Sequence, residues 1–301
     1  MISTKQLRYF DAVARLGHFG RAAEHCAVTQ PALSMQIGAL EKQLGLELIE
    51  RRSKGIALTE TGREIARRAS KILLELRDIS DYAANCKAPL SVPIRLGVIP
   101  TVAPYMLPRL LLSLRKHHPD LALHIREAQT HSLMAELVAG SLDLLVLALP
   151  VERKDIETVE LRSDRFLLAV PRGRTFGSRV RISPDMIQND RLLLLEEGHC
   201  LRDQALAVCN LRPFNSTDTL GASGLSTLVQ MVTSGLGLTL LPEISIAHET
   251  AHGDVKLLRF ADPEPKRLLG IAWRKTSPRK RDFVELGRLI KEAISTQLIS
   301  F

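Results

Sequence analysis

The stretch FGRAAEHCAVTQPALSMQIGALEKQLGLELIERRSKGIALTETG, residues 19–62, decides the fold of the N-terminal part of the chain. Ala22 and Ala23 form a pair of small residues in a short predicted helix, and small side chains let a second helix pack closely. Thr29 then stands as the N-cap of a longer helix with a proline in its first turn, and the apolar pattern carries that helix to about Leu44. Two helices joined in this way are typical of a helix-turn-helix motif.

Another helix and a β-hairpin frame this motif. Ser3 and Gln6 fit a capping box at the start of a helix that Gly17 ends. Residues 48–58 place alternating apolar side chains around a basic tip, as a small β-wing does. We therefore predict an all-α winged helix-turn-helix domain at residues 1–60.

In such a domain the second helix of the motif lies in the major groove of DNA, and the wing meets phosphates or the minor groove. Hydroxyl and amide groups at the start of that helix form hydrogen bonds to base edges. The candidate DNA-binding residues are Thr29, Gln30, Pro31, Ser34, Gln36, Arg51 and Arg52, with Lys54 also in the wing. The alternative, on pattern alone, is a three-helix bundle whose basic residues only keep it dissolved.

A long helix connects this domain to the rest of the chain. Thr59 opens it, and residues 61–88 form the predicted linker. Its apolar residues repeat on one stripe: Ile65, Ala69, Ile72, Leu76 and Ile79. A long helix with a single apolar stripe commonly pairs with a copy of itself.

Residues 19–62 also closely resemble the N-terminal domain of LysR-type transcriptional regulators. The Ala-Ala pair, TQPALS, the end of the reading helix in IGALEKQLG, the ER of the wing and LTETG occur in the family's order. The resemblance implies double-stranded promoter DNA and RNA polymerase as partners. It also implies that linker helices pair two subunits and that two dimers form a homotetramer.

Composition agrees with a globular DNA-binding protein but does not prove one. The chain has 301 residues, 45% hydrophobic and 25% charged, which is enough for two domains. A net charge of +8 favours a polyanionic partner, although residues 1–88 hold only 14 Lys and Arg against 10 Asp and Glu. No long uncharged apolar run occurs, so we expect a cytoplasmic protein that does not bind a membrane.

After Pro89 the pattern changes to alternating strands and helices, which is typical of an α/β architecture with mostly parallel sheets. We predict a regulatory domain at residues 89–301 with two Rossmann-like lobes, as in periplasmic binding proteins. Lobe I takes 89–163 and 269–301, and lobe II takes 164–268. The predicted strands are 94–99, 121–127, 142–149, 166–170, 192–195, 238–241, 255–260 and 268–273, and the predicted helices are near 105–117, 132–139, 225–234 and 279–298.

The cysteines of the chain are Cys26, Cys86, Cys200 and Cys209. Four are too few for a disulfide scaffold, and neither a CxxC pair nor zinc-finger spacing occurs. A cysteine that matters chemically therefore acts as a thiol. Cys200 lies beside His199 and Arg202, positive or hydrogen-bonding neighbours that favour the thiolate. We predict no metal and no cofactor.

The segments GVIPTVAPYMLP, REAQTHSLMAELVAGSLD, LEEGHCLRDQALAVC, GLTLLP and PEPKRLLGIAWR resemble the effector domain of peroxide-sensing LysR-type regulators. By that resemblance Cys200 is oxidised by hydrogen peroxide, Cys209 resolves it as a reversible disulfide, and antioxidant genes are activated. Reductants of the glutaredoxin or thioredoxin type reset the pair. The implied peroxide pocket holds Thr101, Thr130, His199, Asp203 and Arg267, with Asp203 holding a neighbouring basic group.

A helix through residues 200–209 would hold the two cysteines apart. Nine steps of about 1.5 Å place the Cα atoms roughly 13 Å from each other, whereas a disulfide needs them within about 7 Å. The bond then requires local unfolding of this segment, and the surfaces packed on it must repack.

Plainer interpretations stay open at several of these positions. Thr101 is alternatively a cap for the following helix, and Thr130 alternatively closes a turn. The sequence HETAH from His248 matches the zincin motif HExxH, but we expect Gly253 to end its helix at once, without a third ligand. Residues 222–224 read Ala-Ser-Gly where relatives usually carry Ala-Thr-Ser, which puts any contact there in doubt.

Two rival functions share part of this pattern. The first is a regulator that binds a small metabolite in the cleft between the lobes. Such a regulator would share every N-terminal feature described above, and only the cysteine pair distinguishes it from a peroxide sensor. A thiol peroxidase is disfavoured, because nothing in residues 1–88 serves catalysis. We therefore predict a regulator and not an enzyme.

Overall fold

A computed structural model describes residues 1–52, 55–86, 89–175, 181–209, 221–251 and 255–295 of the chain. The chain divides into two compact units, Met1–Ala83 and Ala84–Phe301. No helix among these residues is both long enough and apolar enough to cross a bilayer.

The first unit holds the three predicted helices and the wing. Its elements are α1 (Thr4–Leu16), α2 (Phe19–His25), α3 (Gln30–Leu44), β1 (Ile49–Arg52), β2 (Gly55–Leu58) and α4 (Glu60–Asn85). Ser3 and Gln6 form the predicted capping box, Gly17 ends α1 with a left-handed backbone, and the Thr29 hydroxyl accepts from the Ala32 N–H. Thr59 accepts from the Gly62 N–H at 2.8 Å and so caps α4. Local capping chemistry therefore sets these helix starts, as the sequence predicts.

The core of this unit forms where α1, α2 and α3 meet. Ala22 and Ala23 are buried there against Tyr9, Leu33 and Ile37. The small pair thus lets the helices approach, and fully burying one such leucine or isoleucine stabilises the fold by about 1.5–3 kcal/mol. The wing strands β1 and β2 pair antiparallel beside this core.

Helix α4 packs against the first unit near its start, but most of its apolar stripe is exposed. Ala69 is buried, and the Ser70 hydroxyl donates to Asp11 of α1. Farther along, Ile72, Leu76 and Ile79 are 44%, 40% and 67% exposed. A single chain therefore leaves most of the predicted pairing stripe uncovered.

The second unit alternates strands and helices. Its elements are β3 (Ile94–Val98), α5 (Ala103–His117), β4 (Leu123–Glu127), α6 (Thr130–Val138), β5 (Leu144–Leu149), β6 (Ile156–Pro171), a 3₁₀ turn (Pro184–Ile187), β7 (Leu194–Leu195), α7 (Cys200–Val208), β8 (Gly221–Ala222), α8 (Leu225–Thr233), β9 (Thr239–Pro242), α9 (Glu243–Glu249), β10 (Val255–Leu258), β11 (Lys266–Arg274) and α10 (Lys280–Ser295). The fold is the mixed α/β architecture expected.

The expectation of mostly parallel sheets is wrong. Strand β3 pairs in parallel with β4 and β5, and β7 with β8, but β11 is antiparallel to β5 and β6, and β6 is antiparallel to β9 and β10. The cause is β6, whose 16 residues run through both sheets. Its first part pairs with β11 and its last part, from Phe166, pairs with β9 and β10. Two long strands running in opposite directions thus join the lobes.

Candidate redox site and nucleic-acid interface

The two cysteines of interest lie at opposite ends of α7. His199 is the N-cap, Cys200 is the first helical residue and Cys209 is the C-cap. Both are free thiols, Cys200 half-buried and Cys209 buried. The helix meets the condition set by the sequence, so the nine steps place the Cα atoms about 13 Å apart, beyond the reach of a disulfide.

The surroundings of the two thiols differ in how well they accommodate a thiolate. Cys200 sits where the N-terminal end of the helix dipole favours negative charge. Cys209 packs in the hydrophobic core, and burial raises the pKa of its thiol to about 11. Because a thiolate is the nucleophile, Cys209 is held inert in this conformation.

Cys209 in the reduced protein is therefore expected to resist alkylation. Its iodoacetamide rate should rise about tenfold per pH unit without a plateau below about pH 11, because burial disfavours the anion. Mass spectrometry of each cysteine after timed quenching measures this, with the urea-unfolded chain as the control, where the rate should level off near pH 9. A plateau at that pH in the folded protein would contradict the buried site.

A small crevice brings together several residues that the sequence singled out. It is lined by Ile99, Pro100, Thr101, Gln129, Thr130, Gly198, His199 and Cys200. These come from the loop after β3, the start of α6 and the start of α7. Its empty space of about 170 Å³ includes open solvent, and none of it has room for a water-sized molecule. The crevice is therefore closed in this conformation, and a ligand enters only after its lining shifts.

Two buried polar atoms near this crevice have no hydrogen-bond partner among the residues that the structure describes. One is the hydroxyl of Thr130, the first residue of α6, and the other is Oε1 of Gln204. Gln204 lies one turn after Cys200 on the same face of α7. Buried polar atoms without partners are rare in native proteins, so both atoms are candidates to bind a small polar ligand. The sequence prediction missed Gln204, although its four-residue spacing from Cys200 was a usable signal.

Arg267 and Thr101 form a buried polar group beside the crevice. Arg267 Nη1 donates to the Thr101 hydroxyl at 2.8 Å, and Nη2 donates to the Thr101 carbonyl at 3.1 Å. Its Nε donates to Asp164 at 2.8 Å, and both charged side chains are essentially inaccessible to solvent. Asp164, which the sequence prediction missed, also accepts from the Ile244 N–H at 3.0 Å. Thr101 therefore belongs to this group, while the N-cap of α5 is Val102.

The structure specifies how two polar neighbours of Cys200 are held and corrects the expectation for a third. Burial lowers the pKa of His199, with a smaller opposing effect from Glu196, so its ring is neutral at neutral pH. Arg202 donates to the Leu195 carbonyl at 3.1 Å. Asp203 is exposed on α7 and pairs with no basic group in the described part of the chain. His199 is thus the hydrogen-bonding kind of neighbour, and Asp203, which was expected to hold a basic group, points to water.

The loop before Cys200 is fixed by a glutamine that sequence reasoning missed. Gln129 Nε2 donates to the Glu197 carbonyl at 3.1 Å. Gly198 follows with a left-handed φ of +89°, and a Cβ there would lie 2.3 Å from Gln129 Oε1. Only glycine fits this approach. The contact positions His199 and Cys200 against the start of α6.

On the first unit, the start of α3 is open to a partner. Thr29, Gln30 and Pro31 are exposed, whereas Ser34 and Gln36 are less accessible and half-buried. Of the wing, the backbone of Arg51 and Arg52 belongs to β1, but their side chains and all of Lys54 lie outside the described residues. The exposed residue between Ser34 and Gln36 is Met35, which the sequence prediction did not select.

The zincin-like sequence does not form a metal site among the described residues, where no group of three possible ligands occurs. Helix α9 ends at Glu249, earlier than the predicted stop at Gly253, and His252 lies outside the described residues. Glu249 accepts hydrogen bonds from Tyr105 at 2.6 Å and Ser226 at 3.0 Å. Of the departing residues 222–224, Gly224 is the N-cap of α8 and has no side chain to bind a ligand.

A winged helix-turn-helix unit followed by a two-lobed α/β unit defines a DNA-binding regulator with a sensory domain. The profile of the lysR-family bacterial regulatory helix-turn-helix protein matches residues 4–63, and that of the LysR substrate binding domain matches residues 87–295. The chain belongs to the LysR family.

Individual relatives show which kind of LysR-family protein the chain is similar to. The chain is 42% identical over 296 residues to a probable hydrogen peroxide-inducible genes activator of Streptomyces viridosporus, covering 97% of this chain and 94% of the relative. It is similar to a full-length OxyR variant from Pseudomonas aeruginosa, with a TM-score of 0.81, 35% identity and coverage of 97% and 95%. A Corynebacterium glutamicum OxyR mutant with H2O2 bound matches with a TM-score of 0.69, 32% identity and coverage of 98% and 93%.

Proposed function

We propose that this chain is a hydrogen-peroxide-sensing, DNA-binding transcriptional regulator in which Cys200 is the peroxidatic cysteine and Cys209 the resolving one. The observation that carries the proposal is the crevice at Cys200, where the buried Thr130 hydroxyl has no partner in the described part of the chain. A molecule with two small hydroxyl groups matches its polarity, and the closed crevice has to open slightly to admit it. The peroxide-inducible activators and the peroxide-bound relative support the same assignment.

The first step is oxidation of Cys200. Its thiolate attacks one peroxide oxygen, the O–O bond breaks, and the leaving hydroxide takes a proton to become water, which leaves a sulfenic acid on Cys200. Thr101 and Thr130 hold the peroxide oxygens, the neutral His199 ring offers a hydrogen bond, and Arg267 favours the developing negative charge through Thr101. Gln204 supplies a further acceptor one turn along α7.

The second step converts chemistry into a change of shape. The Cys209 sulfur attacks the sulfenic sulfur, and the hydroxyl leaves with the thiol proton as water, so that a disulfide forms. Because α7 holds the cysteines about 13 Å apart, the helix has to unwind first. Reductants of the glutaredoxin or thioredoxin type then restore both thiols, so each oxidation is a single event per reset.

The change is read out on DNA. We assign residues 1–60 to promoter recognition through α3 and the wing, 61–88 to pairing of subunits, and 89–301 to sensing. The exposed stripe on α4 supports dimers, and two dimers form the tetramer that meets RNA polymerase and activates antioxidant genes. We place this activity in the cytoplasm. The rival metabolite regulator is disfavoured by the cysteine pair on α7 and by the peroxide-inducible relatives.

Peroxide is expected to move the footprint of the reduced protein by about one turn of DNA, roughly 10 bp, in each outer half-site. The measurement is a DNase I footprint on promoter fragments captured from genomic DNA, before peroxide, after it and after added dithiothreitol. Peroxide pretreated with catalase is the control. An unchanged footprint together with an unchanged sedimentation coefficient would contradict the switch.

A further inference from the structure

The solvent face of the reading helix α3 is apolar at its centre. Leu33, Ile37 and Leu40 are buried and define its core face. At about 100° per residue, Met35 points roughly 140–160° away from each of them. Met35 is 67% exposed.

The neighbours of Met35 on this face leave it room. Pro31 lies one turn before Met35 and Gly38 lies one turn after it. The three residues lie within about 60° of one another around the helix. Pro31 has no N–H to offer, and a Cβ added to Gly38 would have nothing within 4 Å. The next residue along this row of the helix surface is Lys42, which is exposed and is the first charged residue in the row. Gln36 lies about 100° to the side and is half-buried.

An exposed methionine is unremarkable on an ordinary surface. On this face it is different, because the second helix of the motif enters the major groove of DNA. The base edges there offer donors and acceptors and a single apolar group, the 5-methyl of thymine. Methionine is long, flexible and polarisable, which suits contact with one methyl group.

We propose that Met35 contacts a thymine 5-methyl group and so sets a base preference in each half-site. This inference rests on the proposed DNA-reading role of α3 and names its specificity-determining residue. Covering one methyl group changes affinity about fourfold per half-site. Ser34, beside Met35, is left to bind a neighbouring base edge.

The test begins with duplexes that carry a randomised centre, from which the reduced full-length protein selects its preferred site. Deoxyuridine then replaces each thymine of that site in turn, which removes the methyl group and keeps the base pair. One such replacement per half-site is expected to weaken binding by the wild-type protein about fourfold. Met35→Ala should bind the thymine and uracil duplexes equally, and Met35→Leu should restore the difference.

Lys42→Ala is the matched control on the same face, and it should keep the full sensitivity to uracil. A Met35→Ala protein that still loses about fourfold on uracil duplexes overturns the assignment. So does a wild-type protein that is indifferent to every thymine methyl. These results differ from failure of the DNA-reading role itself, in which the wild-type protein selects no site.

Discussion

Cys200→Ser is expected to abolish disulfide formation and to slow oxidation of the regulatory domain by at least about a hundredfold. A serine hydroxyl does not reduce peroxide, so only Cys209 remains on α7. With a pKa of about 11 for that thiol, about one molecule in 10,000 carries the thiolate at pH 7. The crevice would also lose the reacting atom while keeping its hydroxyl groups.

The measurement is the rate at which free thiols disappear under excess peroxide, resolved by mass spectrometry at each cysteine. Cys86→Ser is the matched control, because Cys86 is a solvent-exposed thiol that lies outside the crevice. It should keep the wild-type rate at Cys200 and the disulfide with Cys209. A Cys200→Ser protein whose footprint still changed with peroxide would contradict the assignment of Cys200 as the sensing thiol, whereas one that still responded to a different inducer would favour the metabolite-regulator hypothesis.

The helices of the first unit were predictable because their signals are local. Ser3, Gln6, Gly17 and Thr29 act within a few residues of the helix ends they define, so their chemistry is readable without the fold. The same holds for the distance argument on α7, which needed only that residues 200–208 be helical.

Long-range features were harder to predict. The first part of β6 was missed because its few buried residues are widely spaced among exposed and charged ones, as in IETVELRSDR. Neither a two-residue alternation nor the apolar run of the second part therefore marks it as a strand. Asp164 sits in that missed segment and meets Arg267 from 103 residues away. The error at Asp203 has the same origin, since which face of α7 it occupies depends on packing.

Removing the buried acid, as in Asp164→Ala, is expected to lower the free energy of unfolding of the second unit by about 3–5 kcal/mol. The Arg267 guanidinium would remain buried, keeping its bonds to Thr101 but losing its only described carboxylate. It cannot shed its charge by deprotonation. Urea unfolding followed by the fluorescence of Trp273, the one tryptophan of the chain, measures this.

Arg267→Met tests the same pair from the other side and adds a chemical readout. Loss of the Arg267 guanidinium removes the 2.8 Å hydrogen bond that orients the Thr101 hydroxyl, so peroxide oxidation of Cys200 should slow as well.

Combining Asp164→Leu with Arg267→Met should recover part of the stability, because two apolar side chains need no partner. That double variant should nevertheless stay slow toward peroxide, because Thr101 is still not oriented. Lys266→Ala, an exposed neighbour on β11, is the control and should change stability by less than about 0.5 kcal/mol. A stable Asp164→Ala protein with wild-type kinetics would mean that the pair neither supports the fold nor positions the site.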